Sequence, residues 1–245
     1  MCGIFGHFSL EPLRRKHLVT LREAARSQVM RGQDAFGIAW CSASGIDSHK
    51  QQGSIADHLQ HMKLGIGSVA MIGHTRMATH GCPSENMNNH PHRFAMQNSP
   101  AYLVHNGVIS NYAEICRLRG LTMTTECDSE VLARHMEDGR GGILNRVKAA
   151  VRDIDPYAPF AAAILTPNYI ILARRGNPLY WSETQSQRWF ASTHHGLTGK
   201  HWLVPDNTAF SISLNSGEVA TIELDKRIPS TMRFVGSDLF TRGNK

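Results

Sequence analysis

A cysteine at position 2 becomes the first residue of this chain once Met1 is removed. It then carries a nucleophilic thiol and a base on one residue, because a free α-amine has a pKa of about 7.7–8.0. The amine takes the thiol proton and later passes it to a leaving amine. While Met1 is attached, that nitrogen is a peptide amide and cannot act as a base. An isolated N-terminal cysteine is more often a small buried residue, so Cys2 is a candidate that needs partners.

Attack on an amide carbonyl also needs hydrogen-bond donors for the oxyanion that develops. Asn106 and Gly107 follow a short predicted strand and offer a side-chain amide and an unobstructed backbone N–H. The same dipeptide favours positive φ angles and, in isolation, is more typical of a simple turn. On these residues alone, both interpretations stay open.

A glutamine-like substrate carries an α-carboxylate and an α-ammonium group beside its reactive amide. Arg76 directly follows a predicted strand, where its guanidinium fork is well placed to bind a carboxylate. Asp128 is a candidate for the ammonium group, although it is an equally good N-cap for the helix predicted after it.

Histidines are dense in the middle third of the chain, which raises zinc as an alternative. Their spacing matches no common zinc site, and no C-x-x-C or H-x-x-x-H pattern accompanies them. We therefore expect no metal and no other cofactor. The residues concerned are His74, His80, His90, His92 and His105, with Cys82 among them.

The composition of the 245 residues, 41% hydrophobic and 19% charged, is typical of one globular domain. The five cysteines are widely spaced and odd in number, which favours a reducing, cytoplasmic location. No apolar run of about 18 residues predicts a membrane span, and the N-terminus has no secretory pattern. The basic residues behind the net charge of +6 are scattered, so nucleic-acid binding is not expected.

Apolar periodicity predicts strands separated by helices, which indicates an α+β domain of antiparallel sheets with helices outside. The predicted strands are 4–10, 37–41, 69–74, 102–105, 160–165, 169–173, 210–214 and 219–224. Helices are predicted on the face of Leu18, Leu21, Ala25 and Val29, from a Ser54 capping box through Leu59 and Met62, from Asn111 to Gly120, from Asp128 through His135, and through Val147 and Val151. We expect a single domain over 1–245, with a loosely organised tail from about 225.

Six stretches in order resemble the class II glutamine amidotransferases of the N-terminal nucleophile hydrolase superfamily, over roughly 1–224. They are MCGIFG (1–6), RGQDAFG (31–37), HTRMATHG (74–81), NHPH (89–92), VHNGVI (104–109) and CDSEV (127–131). The second is most similar to amidophosphoribosyltransferases and the third to glucosamine-6-phosphate synthases, so the subfamily stays open. The resemblance implies a four-layer αββα sandwich that converts glutamine to glutamate and ammonia through a thioester.

The same resemblance implies a role for each matching residue. Cys2 would be the nucleophile, with Asn106 and the Gly107 N–H as the oxyanion hole. Glutamine would be bound by Arg76, Asp128, Thr79 and His80, and Arg31 would order the N-terminal segment.

The chain departs from the family pattern in two respects. Met77 stands where related synthases often have an aromatic residue that closes the pocket. In addition, no synthase domain follows the matching region, so we expect ammonia to reach a separate acceptor protein.

Two alternatives remain. One is a stand-alone hydrolase of another γ-glutamyl amide, which would share the α-carboxylate and α-ammonium contacts. The other is a basic binding or scaffold module with an inactive glutaminase fold, against which the presence of every expected site residue argues.

Removal of Met1 is expected to be obligatory for activity, because only then does Cys2 have an amine base. Intact-mass measurement of active protein should show the loss of Met1. A form with an uncleaved N-terminal extension should be inactive, and cleavage of that extension at Cys2 should restore turnover. Full activity with Met1 retained would exclude this mechanism.

Overall fold

The computed structural model describes residues 1–59, 65–184 and 187–224, and these form two antiparallel β-sheets between layers of helices. The strands are β1 Gly3–Phe8, β2 Ala35–Ser42, β3 Gly45–Gln52, β4 Ser68–Arg76, β5 His92–Met96, β6 Ser99–Gly107, β7 Phe160–Leu165, β8 Tyr169–Arg175, β9 Tyr180–Glu183, β10 Arg188–Ala191, β11 His201–Leu203, β12 Thr208–Ser213 and β13 Val219–Glu223. The helices are α1 Leu18–Arg26, α2 Tyr112–Arg119, α3 Glu130–Asp138 and α4 Ile143–Asp153. One sheet has the order β11-β9-β10-β1-β4-β2-β3, and the other β13-β12-β8-β7-β6-β5.

The apolar side chains form three layers, because successive residues of a strand face opposite sides of a sheet. On β10, Phe190 packs between the two sheets with Leu172. Its neighbour Trp189 instead packs toward α1 and Leu21. Val147 of α4 belongs to the third layer, which lies between the six-stranded sheet and helices α2, α3 and α4. The predicted four-layer αββα sandwich is therefore confirmed.

The predicted strands and helices with clear apolar patterns are confirmed, whereas five strands were not predicted. Strand β3 is mostly polar and pairs only with β2, at the edge of its sheet, so it has no buried face that would leave an apolar signal. Strands β5, β9, β10 and β11 have only three to five residues, too few for a periodic pattern. No helix among the described residues is long and apolar enough to cross a membrane.

The structure differs from the predictions at the starts of two predicted helices. Gly120 ends α2 with a φ of 65°, as expected, but the Asn111 side chain donates to the Asp153 carbonyl instead of capping the helix. Ser54 accepts from the Ala56 N–H and begins only a short 3₁₀ turn. The continuation of that helix through Met62 and the tail from 225 lie outside the described residues.

The register of the strands brings the ends of the two sheets together. Gly3 of β1 is opposite Thr75 of β4, so Cys2 emerges beside the end of β4 in the seven-stranded sheet. Strand β6 of the other sheet ends at Gly107, and the His74 ring contacts the His105 carbonyl across the sandwich at 2.9 Å. Residues at the start of β1 and at the ends of β4 and β6 therefore share one edge of the molecule.

Candidate active site

The N-terminal segment is held in place by contacts on both sides of Cys2. The Arg31 Nε–H donates to the Cys2 carbonyl at 2.8 Å. The Cys2 Sγ lies 3.4 Å from the Met77 backbone nitrogen and 3.5 Å from the Met77 carbonyl oxygen. A Cβ at Gly3 would lie only 2.6 Å from both Gln28 Cβ and Thr75 Oγ1, so no larger residue fits there. The predicted ordering role of Arg31 has a direct contact that supports it.

The Cys2 thiol is partly buried, and this burial raises its pKa. The Met77 N–H, the nearby α-amine and Arg76 act in the opposite direction but do not cancel the desolvation. The thiol is consequently protonated near neutral pH, so attack on a carbonyl requires a base. The α-amine is the nearest group of suitable pKa once it belongs to Cys2. Met1 is exposed, which leaves it accessible for removal.

Cys2 faces a cavity of about 370 Å³ that Asn106 and Gly107 also line. The Asn106 Nδ2 atom is buried and has no hydrogen-bond partner among the described residues. A Cβ at Gly107 would lie 2.8 Å from the Pro159 carbonyl, which explains glycine at that position. Because both residues belong to β6, they do not form a simple turn. The cavity therefore offers an unpaired amide donor opposite a thiol.

Arg76 is buried at the end of β4, and its guanidinium group is already hydrogen-bonded. Its Nη1 donates to Asn89 Oδ1 at 2.6 Å, and its Nη2 donates to the carbonyls of His80 and Gly81. These bonds use three of the five N–H donors of arginine. The Nε–H and one Nη1–H remain, each able to donate one hydrogen bond to a further acceptor. Arg76 does not itself line the Cys2 cavity.

Asp128 is buried directly before α3 but does not cap it, because Ser129 occupies the N-cap position. Its Oδ2 accepts from the Ile109 N–H at 2.7 Å, and its Oδ1 lies 3.9 Å from His80 Nδ1. The alternative role as a helix cap was wrong. Thr79 lines the cavity, whereas His80 and Asp128 lie outside its lining residues. Their proposed contacts with a substrate remain predictions.

Comparisons with known proteins identify the family of this domain. A family model described as a glutamine amidotransferase domain matches residues 74–199. The chain belongs to the class II glutamine amidotransferase family. The glutamine–fructose-6-phosphate aminotransferase of Gluconobacter oxydans is 35% identical over 188 residues, which are 73% of this chain and 29% of that protein. The chain thus spans less than a third of the length of that relative.

Two solved structures share the fold. The glutamine phosphoribosylpyrophosphate amidotransferase of B. subtilis matches 93% of this chain and 50% of its own, with a TM-score of 0.76 and 23% identity. A glutamine aminotransferase class-II domain protein from Silicibacter pomeroyi matches 91% of this chain and 100% of its own, with a TM-score of 0.61 and 15% identity. This amidotransferase domain therefore has the N-terminal nucleophile hydrolase fold.

Three residues that support the site were not predicted from the sequence. Asn177 lines the cavity and donates to the Asn106 carbonyl at 2.8 Å. Asn89 holds Arg76, and Asp34 accepts from the Ala78 N–H at 2.8 Å. Asn89 and Asp34 lie within family motifs, which is a usable signal. Asn177 stands in a loop after β8, where the sequence carries no such signal.

Two thiols of the domain should respond to different reagents. Cys82 is exposed, and its hydrogen bond with Ser84 lowers its pKa, whereas burial raises that of Cys2. Iodoacetamide near pH 7 should therefore label Cys82 first in a form that retains Met1, because the thiolate reacts. A glutamine-like chloroketone should instead label Cys2 of the processed form. Peptide mapping of both reactions provides the test, with Cys82→Ser as the control. Chloroketone labelling at Cys82 would show that Cys2 is not the nucleophile.

Proposed function

We propose that this domain hydrolyses glutamine to glutamate and ammonia through a thioester on Cys2. The observation that carries the proposal is the pairing, on one cavity, of the Cys2 thiol with the unpaired Asn106 amide and the Gly107 backbone. The family membership supports it, since the matching model describes a glutamine amidotransferase domain.

The chemistry follows from a base and a nucleophile on one residue. The free α-amine takes the thiol proton, and the sulfur attacks the side-chain carbonyl carbon of glutamine. Asn106 Nδ2 and the Gly107 N–H donate to the resulting oxyanion. The ammonium form of the amine returns its proton to the leaving nitrogen as the C–N bond breaks, which releases ammonia. Water then attacks the thioester, and glutamate leaves as the thiol regains its proton.

The substrate α-groups would be recognised next to the cavity. A remaining N–H of Arg76 and its positive charge would bind the α-carboxylate, and Asp128 Oδ1 would accept from the α-ammonium group. Oδ1 is the better candidate because its contacts from Ser129 Oγ at 3.5 Å and Cys127 Sγ at 3.8 Å are long, whereas Oδ2 accepts from the Ile109 N–H at 2.7 Å. Thr79 would line the substrate pocket, and His80 would orient Asp128 from 3.9 Å.

We further propose that ammonia passes to an acceptor enzyme on a separate chain. The relatives named above are designated for glutamine together with a second substrate, fructose-6-phosphate or phosphoribosylpyrophosphate. The structure from Silicibacter pomeroyi is matched over its whole length, so the fold also occurs as a chain of domain size. Met77 is half-exposed at the cavity and contacts the Cys2 thiol, which makes it a point where a partner would act on the nucleophile.

Asn106→Ala should lower kcat by about 10²–10³ with little change in KM, because the oxyanion exists only beyond the ground state. Steady-state glutamine hydrolysis measures both constants. Asn145→Ala, an exposed substitution on α4, is the matched control and should leave both unchanged. An effect of Asn106→Ala confined to KM would reassign this residue to substrate binding.

The isolated domain should hydrolyse glutamine slowly, and its acceptor enzyme should stimulate it by ordering the loop around Met77 and excluding water. Linkage requires that a glutamine analogue bound to Cys2 tighten partner binding by the same free energy. The test is capture of the partner with and without the analogue, followed by glutaminase assays of the complex. Cys2→Ala, which cannot take the analogue, is the control.

A domain that is active without a partner would give the opposite result. If no partner is captured and the isolated domain already turns over rapidly, the transfer to a separate chain is wrong. Comparison of free glutamine with other γ-glutamyl amides would then identify the preferred substrate of a self-sufficient hydrolase.

A further inference from the structure

A second cluster of reactive side chains lies outside the lining of the Cys2 cavity. His90, His92 and Cys127 each direct one potential ligand atom inward, and these three atoms lie within 4.8 Å of one another. All three residues are at most 3% exposed. The two histidines precede and begin β5, whereas Cys127 lies just before α3, so the fold brings together residues that are 35 or more positions apart.

The cluster contains polar atoms that the described protein does not satisfy. Both ring nitrogens of His90 and the Nε2 of His92 are buried without a hydrogen-bond partner among the described residues. The Cys127 Sγ lies 3.8 Å from Asp128 Oδ1 and is also within hydrogen-bonding reach of Ser129, so the thiol itself has partners. Buried polar groups are normally paired with protein, water or a bound ion. Two imidazoles with unpaired nitrogens that converge with a thiol therefore point to a missing partner.

We propose that His90, His92 and Cys127 bind a zinc ion. Imidazole nitrogen and thiolate sulfur are the donors that zinc prefers, and three protein ligands with one open position form a recurrent arrangement. Tetrahedral coordination requires ligand atoms about 3.3–3.6 Å apart, so the three atoms must approach by roughly an ångström. Binding would release the Cys127 thiol proton to solvent, because the thiolate is the ligand.

The charges around the cluster offset one another. Asp128 and Arg76 lie near Cys127, and Glu130 and Lys50 lie near His92. The His74 ring packs 4.0 Å from the His90 ring, and its Nδ1 is also buried without a partner among the described residues. A water molecule would complete the fourth position.

The ion would have a structural role in the site. His90 follows Asn89, which holds the Arg76 guanidinium, and Cys127 precedes Asp128. A metal bond between these two segments would fix the spacing of the residues proposed to bind the two α-groups of the substrate. The zinc site depends on this cluster of side chains and does not depend on the proposed glutaminase activity.

The test begins with the metal content of the wild-type domain. After purification with zinc supplied during expression and gel filtration in metal-free buffer, it should retain about one zinc ion per chain. Removal with a chelator should lower Tm, and readdition of zinc should restore it. Cobalt substitution should give the charge-transfer absorption of a cobalt–thiolate bond. Zinc content near zero, together with a Tm that zinc does not change, would overturn the proposal in favour of buried water.

Variants assign the ligands. Cys127→Ser and His92→Gln should weaken zinc binding by at least about 100-fold, since loss of an outer-shell partner alone costs 10–100-fold. Cys41→Ser is the matched control, because Cys41 is also buried, and its Sγ lies 3.7 Å from the Pro167 carbonyl. Circular dichroism checks that each variant is folded. If a variant is unfolded, the wild type is used instead. Alkylation of its Cys127 should then abolish the cobalt–thiolate band.

Comparison of the two cysteine variants separates the loss of a zinc ligand from a general loss of structure. Equal zinc affinity of Cys127→Ser and the wild type would show that any bound ion lies elsewhere, and would overturn the site. Weaker binding in Cys41→Ser as well would indicate a general loss of structure and would likewise contradict the assignment to Cys127.

Discussion

The antiparallel pairing of β1 with β4 is the constraint on which the active site depends. It places Cys2, at the start of one strand, beside Arg76 and Met77 at the end of the other. The pairing requires glycine where rings cover the sheet: a Cβ at Gly73 would lie 2.3 Å from the Phe5 ring. The strand that follows Cys2 is therefore held by backbone hydrogen bonds to β4 and β10 on its two edges and by aromatic packing across its face.

A second constraint comes from the loop between β4 and β5. Arg76 donates to the carbonyls of His80 and Gly81 and to Asn89, so one buried guanidinium organises both ends of the loop. A charge-assisted hydrogen bond is stronger than a neutral one, and an unpaired buried charge is costly. The arginine therefore contributes to the shape of the site before any substrate is present. A carboxylate ligand would complete the pairing of its charge.

Burial has opposite consequences for the two halves of the chemistry. It raises the pKa of the Cys2 thiol, so that the thiolate is scarce and a base is needed. The same low-dielectric surroundings strengthen a hydrogen bond from Asn106 to a developing oxyanion. In the proposed mechanism the α-amine of Cys2 would reconcile these effects, since it would supply the base without adding a charged side chain to the cavity.

The sequence alone was sufficient for the family, the fold and the candidate residues, because the motifs around Cys2, Arg76, Asn106 and Asp128 are local. It also predicted the strands with buried apolar faces, such as β7 and β8. The edge strand β3 escaped prediction because its stability comes from backbone pairing with β2 and not from an apolar pattern.

Only the tertiary structure decided which residues meet. The contact of Asn177 with Asn106 spans 71 positions, and the convergence of Cys127 on His90 and His92 spans at least 35. The structure also showed that Asp128 does not cap α3, because its Oδ2 accepts from the Ile109 N–H in the loop after β6. Composition and spacing report on neighbours along the chain. Contacts between sheets and loops depend on packing and register, which no local pattern records.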